Sequence, residues 1–368
     1  MKLLIATPLY PPDDGGPATY AHILELALPE AGVEVVLLSF SRYRQYPKFL
    51  RHFLYTCALW KHARGVDVIY TLDLVSVGFS ALLVSKILRK PLVLKIVGDY
   101  AWEQGTQRAG VKENLDEFVK RSDYPLLVRV FRFIQTSVAR HATKIITPSQ
   151  YLKGIITSWG IAPEKITVVY NSFKAVLPSD EKSLLRKEFD MTRPTIVSAG
   201  RFVPWKGFKV LMDVVAEIQK DIPNVELQII GSGDDTEYVT YANKRQYNFV
   251  KFLGLRSHDE LMKRIRASDC FALNTGYEGL SHVLLEAMAL ETPVVTTRVG
   301  GNTELFEGSQ RGVLVPYNDK KAIFVGLQLV LTDKKTSQYM AENAKSFVSS
   351  FTEERMINST ILELKGTL

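Results

Sequence analysis

The chain has 368 residues, 46% of them hydrophobic and 23% charged, a composition that excludes a disordered or low-complexity protein. At roughly 150 residues per domain this length predicts two domains, and 46 Lys and Arg against 39 Asp and Glu leave a formal charge of +7 that favours anionic partners. Cys57 and Cys270 stand far apart with no CxxC spacing, which argues against a zinc site or a disulfide framework and reads as two reduced thiols in a cytoplasmic protein.

From the N-terminus, MKLLIATPLYPP holds an apolar run broken by prolines, too short for a signal-peptide core or a membrane span. KLLIAT opens a series of short Val- and Ile-rich runs continued by EVVLLSF, VDVIYT, LVLKIV, TKIITP and ITVVY. Helical patterns separate them at 18–32, 46–63, 74–88 and 124–142. Such alternation predicts βαβ units and a parallel sheet buried on both faces. The most apolar stretch, 74–97, is interrupted by Lys86, Arg89, Lys90, Pro91 and Lys95, so no transmembrane helix is predicted.

Near residue 171 the alternation stops. Residues 172–192 carry many charges and no strand-like run, and read as an interdomain connection with a short helix. A second series follows: TIVSAG, VELQIIG, VKFLG, CFALN, PVVTT and GVLVPY, again with helical patterns between strands. The predicted fold class is therefore α/β, with two doubly wound Rossmann-like parallel-sheet domains at 1–171 and 193–350 facing each other across a cleft. Ligands are expected at the carboxyl ends of the strands. A last helix in 351–368 is a candidate to pack back on the first domain.

The chain has no GxxxxGK[ST], HExxH or GxSxG motif, so the common NTPase, zinc-protease and hydrolase readings lose their support. The GxG at Gly231–Gly233 lacks the third glycine of a dinucleotide fingerprint and reads as a tight turn. The informative segment is EGLSHVLLEAMALETPVV, 278–295. Ser281 stands where it would cap a helix, and Glu286 falls among Val283, Leu284, Leu285, Ala287, Met288 and Ala289. A carboxylate in so apolar a helix needs a partner, either an internal ion pair or a ligand's hydroxyls. Glu278 precedes the helix start, where free N–H groups suit an anion. In TIVSAGRFVPWKGF a buried strand ends in a glycine turn and exposes Arg201 and Lys206, a guanidinium and an ammonium suited to clamp a diphosphate. Gly15 and Gly16, in the loop after the first strand, permit a close backbone approach or simply make a turn.

Taken together, GRFVPWKG, IIGSG, VKFLG, EGLSHVLLEAMALETPVV and VGGNTELF resemble the donor domain of the GT-B fold retaining glycosyltransferases of family four (glycosyl transferases group 1). ATPLYPPDDGGPATY, IITPSQYLKGII and VVYNS extend the resemblance over nearly the whole chain. It implies a metal-independent transfer of sugar from a nucleotide-diphosphate sugar, with retained anomeric configuration and no further cofactor. The acceptor would be a hydroxyl of a glycan or lipid-linked glycan in cell-surface polysaccharide synthesis. Arg201 and Lys206 would contact the diphosphate, Glu286 the ribose, and Glu278 the transferred sugar. Gly279, Leu280 and Ser281 would cover sugar and phosphate with their backbone, Gly254, Leu255 and Arg256 would lie by the base, and Gly16 would approach the diphosphate from the other domain.

One departure stands out. Many relatives carry a histidine at the end of the fourth strand, where this chain reads LKIVGDYAWE, with Gly98 at the aligned position and Asp99 next. Asp99 is a candidate to bind a sugar hydroxyl or assist the acceptor, with the alternative that it is a turn residue. Trp102 and Glu103 are weaker acceptor candidates, equally explained by helix-start packing. The departure also leaves room for a different reading, a non-catalytic sugar-nucleotide sensor or scaffold on the same fold.

Residues 42–64 are basic and aromatic, with Arg42, Arg44, Lys48, Arg51, Lys61 and Arg64 beside Phe49, Leu50, Phe53, Leu54 and Trp60. Such a segment suits peripheral contact with an anionic membrane on its inner face, or a helix whose apolar side covers the sheet. No nucleic-acid-binding module is recognisable, so nucleic acid is not an expected partner.

Overall fold

The structure, a computed structural model, describes residues 1–368 except 14, 174–177, 179 and 309. The chain forms two compact units, the first made of Met1–Tyr170 with Glu354–Leu368, the second of Asn171–Glu353.

The first unit holds β1 (Lys2–Thr7), β2 (Glu34–Ser39), β3 (Val68–Thr71), β4 (Leu92–Lys95), β5 (Lys144–Thr147) and β6 (Ile166–Val168). They pair in parallel in the order β2-β1-β3-β4-β5-β6, with Ile5 opposite Leu37 on one side and Tyr70 on the other. Successive strand residues point to opposite faces. Leu4 and Ala6 therefore join a core with Tyr55, Leu59, Ala81 and Val138, which belong to the helices Lys48–Ala63, Gly78–Leu88 and Leu126–His141. Leu3 and Ile5 point the other way, into a core with Tyr20 and Leu24 of the helix Gly16–Glu30 and with Met356, Ile361 and Leu364 of the helix Glu353–Lys365. That last helix is thus a structural layer of the first unit, separated from the rest of it in sequence by the whole of the second.

The second unit holds β7 (Thr195–Ala199), β8 (Glu226–Ile230), β9 (Val250–Gly254), β10 (Cys270–Leu273), β11 (Val294–Thr297) and β12 (Val313–Val315), all parallel, in the order β12-β11-β10-β7-β8-β9. One face is covered by the helices Phe208–Ile218 and Lys320–Thr332, which bury Leu211, Met212, Val215, Leu327 and Val330 against Ile196, Leu227, Ile229 and Val295. The short helix expected in the connection, Lys182–Glu188, is built into this unit: Leu185 packs with Met191 and Ala267, and Arg186 pairs with Asp269 at 2.9 Å. Residues 174–177 and 179 of the expected connection lie outside the described residues.

Both sheets are doubly wound α/β sheets, as the alternation predicts. Further helices, among them Tyr100–Arg108, Gln150–Ser158, Lys320–Thr332 and Lys334–Val348, had no clear signal in the apolar pattern. Each of those named starts at an Asp or Ser whose side chain accepts a backbone N–H two or three residues into the helix: Asp99 from Trp102, Ser149 from Leu152, Asp319 from Ala322 and Asp333 from Thr336. Among the described residues no helix is long and apolar enough to cross a membrane.

Candidate functional site

In a doubly wound sheet the loops diverge where the strand order reverses, and ligands sit there at the carboxyl ends of the strands. In the second unit that place lies between β7 and β10, so the loops after them, 200–207 and 274–281, form its walls. These are the loops that carry Arg201, Lys206 and Glu278.

The two loops are tied together by their backbones. Gly276 N–H donates to Trp205 O at 2.7 Å, and the Asn274 side-chain amide donates to Gly207 O at 2.9 Å. Gly207 has φ +48, and a Cβ there would lie 2.3 Å from Asn274 Nδ2, so only glycine permits this approach. Gly231 is likewise fixed by crowding, because a Cβ would lie 1.9 Å from Gly200 O. The GxG turn therefore serves the packing of neighbouring strand ends.

Lys206 Nζ forms an ion pair with Glu278 Oε1, and both side chains are largely buried. Arg201 stands exposed with no ion pair among the described residues. The two loops thus offer one guanidinium without an ion pair among the described residues and one ammonium held by a carboxylate that an anionic ligand would have to displace. Beneath them, the VGGN segment positions the Glu278 loop. Gly301 N–H donates to Glu278 O at 3.0 Å, and a Cβ on Gly300, at φ +56, would lie 2.0 Å from that same carbonyl.

Ser281 sits at the N-cap of the helix His282–Ala289, but its side chain makes no capping bond. That corrects the expectation of a side-chain cap. Its own N–H instead donates to Asn302 Oδ1 at 3.1 Å, which leaves the N–H groups of the first turn without a side-chain acceptor from the N-cap. Gly279 and Leu280 are buried beside it. Further along, Glu286 is buried and its Oε1 lies 2.7 Å from His258 Nε2. The sequence argument asked for a partner and missed this one, which begins the helix His258–Ala267 just beyond Gly254, Leu255 and Arg256. Gly254 has φ +65 and open space at its Cβ, Leu255 is exposed, and Arg256 pairs with Glu260 at 3.2 Å. The strand-end loop after β12 adds Asn318, whose Oδ1 accepts from the Asn274 amide at 2.9 Å.

The first-unit candidates behave differently. Asp99 is wholly buried as the N-cap of Tyr100–Arg108; its Oδ1 accepts from Trp102 N–H at 2.9 Å and from Gln135 Nε2 at 3.1 Å. Burial pushes its carboxyl up, opposed by those two bonds and by nearby Arg132. This is the geometry of the turn-residue alternative; the second carboxylate oxygen, Oδ2, is buried with no hydrogen-bond partner among the described residues. Trp102 is buried as well and donates its Nε1–H to Glu113 O at 2.9 Å, so its ring is a packing element and not an exposed stacking platform; Glu103 is half-buried in the same helix. Gly16 begins the helix Gly16–Glu30 with open space at its Cβ. The sequence reading passed over Asp73, in the loop after β3, which accepts from Ser76 N–H at 2.5 Å and Val77 N–H at 3.3 Å ahead of the helix Gly78–Leu88. It also passed over Lys95, which is buried on β4. Its Nζ donates to Val169 O at 3.3 Å and lies 4.8 Å from the centroid of the Tyr20 ring, and burial pushes the ammonium down to about 7.

The chain also matches known protein families and structures. Residues 5–172 match the model of the glycosyl transferase 4-like domain, and residues 180–347 match that of glycosyl transferases group 1. The chain is 32% identical over 216 residues to the uncharacterized glycosyltransferase MJ1607 of Methanocaldococcus jannaschii, covering 56% of this chain and 55% of that protein. It is 24% identical to MJ1178 of the same organism over 97% of this chain and 96% of that one. It is 26% identical, over 58% of each chain, to the Campylobacter jejuni N-acetylgalactosamine-N,N'-diacetylbacillosaminyl-diphospho-undecaprenol 4-alpha-N-acetylgalactosaminyltransferase. The chain thus spans little more than half the length of some of its relatives and nearly all of another. Among solved structures, HepE of Anabaena in complex with UDP-glucose superposes with a TM-score of 0.79 at 21% identity, covering 100% of both chains.

Proposed function

Since the chain belongs to the group 1 glycosyltransferases and has their GT-B fold, we propose that it moves a sugar from a nucleotide-diphosphate sugar to a hydroxyl acceptor, with retained configuration and without a metal. The observation that carries the reading is the convergence of Arg201, Lys206 and Glu278 on the two loops of the second unit's switch point, braced there by backbone bonds. Arg201 and Lys206 hold the diphosphate, and Lys206 leaves Glu278 to do so. Their charge stabilises the phosphate as it departs. The bond between the anomeric carbon and the phosphate oxygen breaks, the acceptor oxygen bonds to the same face of that carbon, and the acceptor's proton passes to the departing phosphate.

Glu286 accepts the ribose hydroxyls, with His258 fixing the carboxylate's orientation. Gly254, Leu255 and Arg256 flank the base, and the backbone of Gly279, Leu280 and Ser281 covers sugar and phosphate at the open helix end. For the acceptor, support comes from the Campylobacter relative, whose name specifies an undecaprenol-linked glycan. A lipid-linked acceptor suits a protein that works at the inner face of a membrane, which residues 42–64 would contact.

The test pairs donor binding with turnover. A melting-temperature screen with UDP, GDP, ADP, CMP and dTDP sugars, with and without EDTA, should give a shift for one nucleotide that EDTA leaves unchanged and Arg201→Ala removes; a ligand at about 100 times its Kd adds roughly 2.7 kcal/mol. Glu278→Gln should then lose transfer by about a hundredfold or more while keeping the shift, and equal loss of both would count against the role given to Glu278. The absence of the histidine, with Asp99 engaged as a helix cap, favours one alternative: a chain that binds the donor and does not turn it over. A nucleotide shift with no transfer to any acceptor would identify it.

A further inference from the structure

The helices Lys48–Ala63, Gly78–Leu88 and Leu126–His141 lie side by side on one face of the first sheet. Thr56 Oγ1 donates to Ser80 Oγ at 2.8 Å across the first pair, and Gly78 packs on Val138 across the second. Each helix turns one apolar strip to the sheet, through Tyr55 and Leu59, Ala81 and Val84, and Val138 and Ala139. An ordinary surface helix would be polar on its other side. These are not.

In the first helix Phe49, Phe53 and Trp60 point outward, Phe49 being 94% exposed. In the second the outward residues are Phe79, Leu83 and Ile87, spaced by four along the helix, and Ile87 is 68% exposed. In the third they are Leu126, Val130 and Phe133, with Phe133 73% exposed. Apolar strips of this size on three adjacent helices mark a surface that meets another apolar phase. The notion that the aromatics of 42–64 serve only to cover the sheet is thereby answered, since Tyr55, Leu59 and Ala63 do that.

Charge identifies the phase. Segments 42–64, 78–90 and 126–141 together hold twelve Lys and Arg and no Asp or Glu; with +7 for the whole chain, everything else sums to −5. One of the twelve, Arg132, turns inward to Phe118 O. Arg51 lies over the buried Phe40 ring and Arg44 pairs with Asp13, while exposed cations border the strips: Lys48 and Arg64 at the ends of the first helix, Lys86 and Arg89 at the end of the second, Arg129 and Arg140 on the third. We propose that the outer face of these three helices docks on an anionic lipid bilayer, its apolar side chains entering the acyl boundary and its cations meeting the headgroups. The proposal rests on the membrane contact read for residues 42–64 and extends it to a face built by three helices. Because the helices run antiparallel to the strands, Phe49, Phe79 and Leu126 stand in first turns, at the carboxyl edge of the sheet where ligands bind in such folds.

The experiment is sedimentation of the full chain with phosphatidylcholine vesicles, with and without phosphatidylglycerol. Wild type should bind the anionic vesicles in a salt-sensitive way and bind the neutral ones weakly. Ile87→Ser with Phe133→Ser, both outside 42–64, should lower partitioning about tenfold, with melting temperature and nucleotide-induced shift unchanged. The proposal is overturned by wild type that ignores anionic vesicles. It is overturned equally by an Ile87→Ser/Phe133→Ser variant that binds like wild type while Arg42→Ser/Arg44→Ser/Lys48→Ser/Arg51→Ser does not, which would confine contact to one segment, or by a solution dimer that those two serines dissociate. Vesicle binding without any nucleotide shift would support the face and sink the transferase reading instead.

Discussion

The two units share a strand count, a strand direction and a layer plan, yet they use polar residues in opposite ways. At the switch point of the second unit the ionisable side chains Arg201, Lys206 and Glu278 are gathered on loops, and the structural bonds to the backbone there come from backbone and amide groups. In the first unit the carboxylates nearest the strand ends, Asp73 and Asp99, are engaged as acceptors for helix-start N–H groups. Its surplus cations face outward on three helices. Strand ends of the same kind thus keep their charged side chains clear of structural bonds to the backbone in one unit and use them for such bonds in the other.

The sharpest way to break that contrast is to disturb the bracing of the second unit. Gly300→Ala forces a Cβ into Glu278 O at a left-handed φ, and should lower stability by about 2 kcal/mol or more and reduce transfer at least ~100-fold. Chemical denaturation and a donor-transfer assay read the two effects; wild-type behaviour in both would mean that the VGGN turn does not position Glu278. Next in size is the cap in the first unit. Asp99→Ala should cost about 1–2 kcal/mol, whereas Asp99→Asn keeps an acceptor for the Trp102 N–H and should retain both stability and transfer. A stable but inactive Asp99→Asn protein would restore a catalytic role to this carboxyl.

Lys95 allows a pH test of the first unit's interior. Burial holds its folded-state value near 7 against an ordinary value of 10.5, so between these limits the unfolded chain binds more protons than the folded one. Stability contributed by this site therefore rises with pH from about 7 upward and is lost as pH falls toward 7. Lys95→Met should flatten that rise in urea titrations taken from pH 7 to 9.5, and an unaltered slope would mean that the ammonium is solvated. The smallest effect is expected at Ser281. Since its side chain caps nothing, Ser281→Ala should change stability by less than about 0.5 kcal/mol, and a full capping loss in the melting curve would contradict the geometry.

The strands were legible because a parallel strand buried on both faces is a continuous apolar run, and TIVSAG or VDVIYT has no other use in a chain of this composition. The helix Lys334–Val348 was not legible, because KKTSQYMAENAKSFV buries only a narrow strip and owes its start to Asp333. Within the site, Arg201, Lys206 and Glu278 could be found from their place at strand ends. His258 could not, because 28 residues separate it from Glu286 and no periodicity joins a helix start to the middle of another helix. The cap made by Asp99 was not legible for a related reason: a carboxylate after a strand reads alike whether it faces solvent or lies beneath a helix, and burial is a property of the assembled layers.

The helix Glu353–Lys365 has a consequence for how the protein is made. Residues 1–170 leave the ribosome with one face of their sheet, around Leu3, Ile5 and Tyr70, lacking the layer that Met356, Ile361 and Leu364 supply. At roughly 5–20 residues per second, the intervening stretch takes on the order of ten seconds or more to synthesise. During that interval the nascent first unit carries an uncovered apolar strip, a binding site for chaperones and an opportunity for aggregation, until the last residues of the fold arrive and seal it.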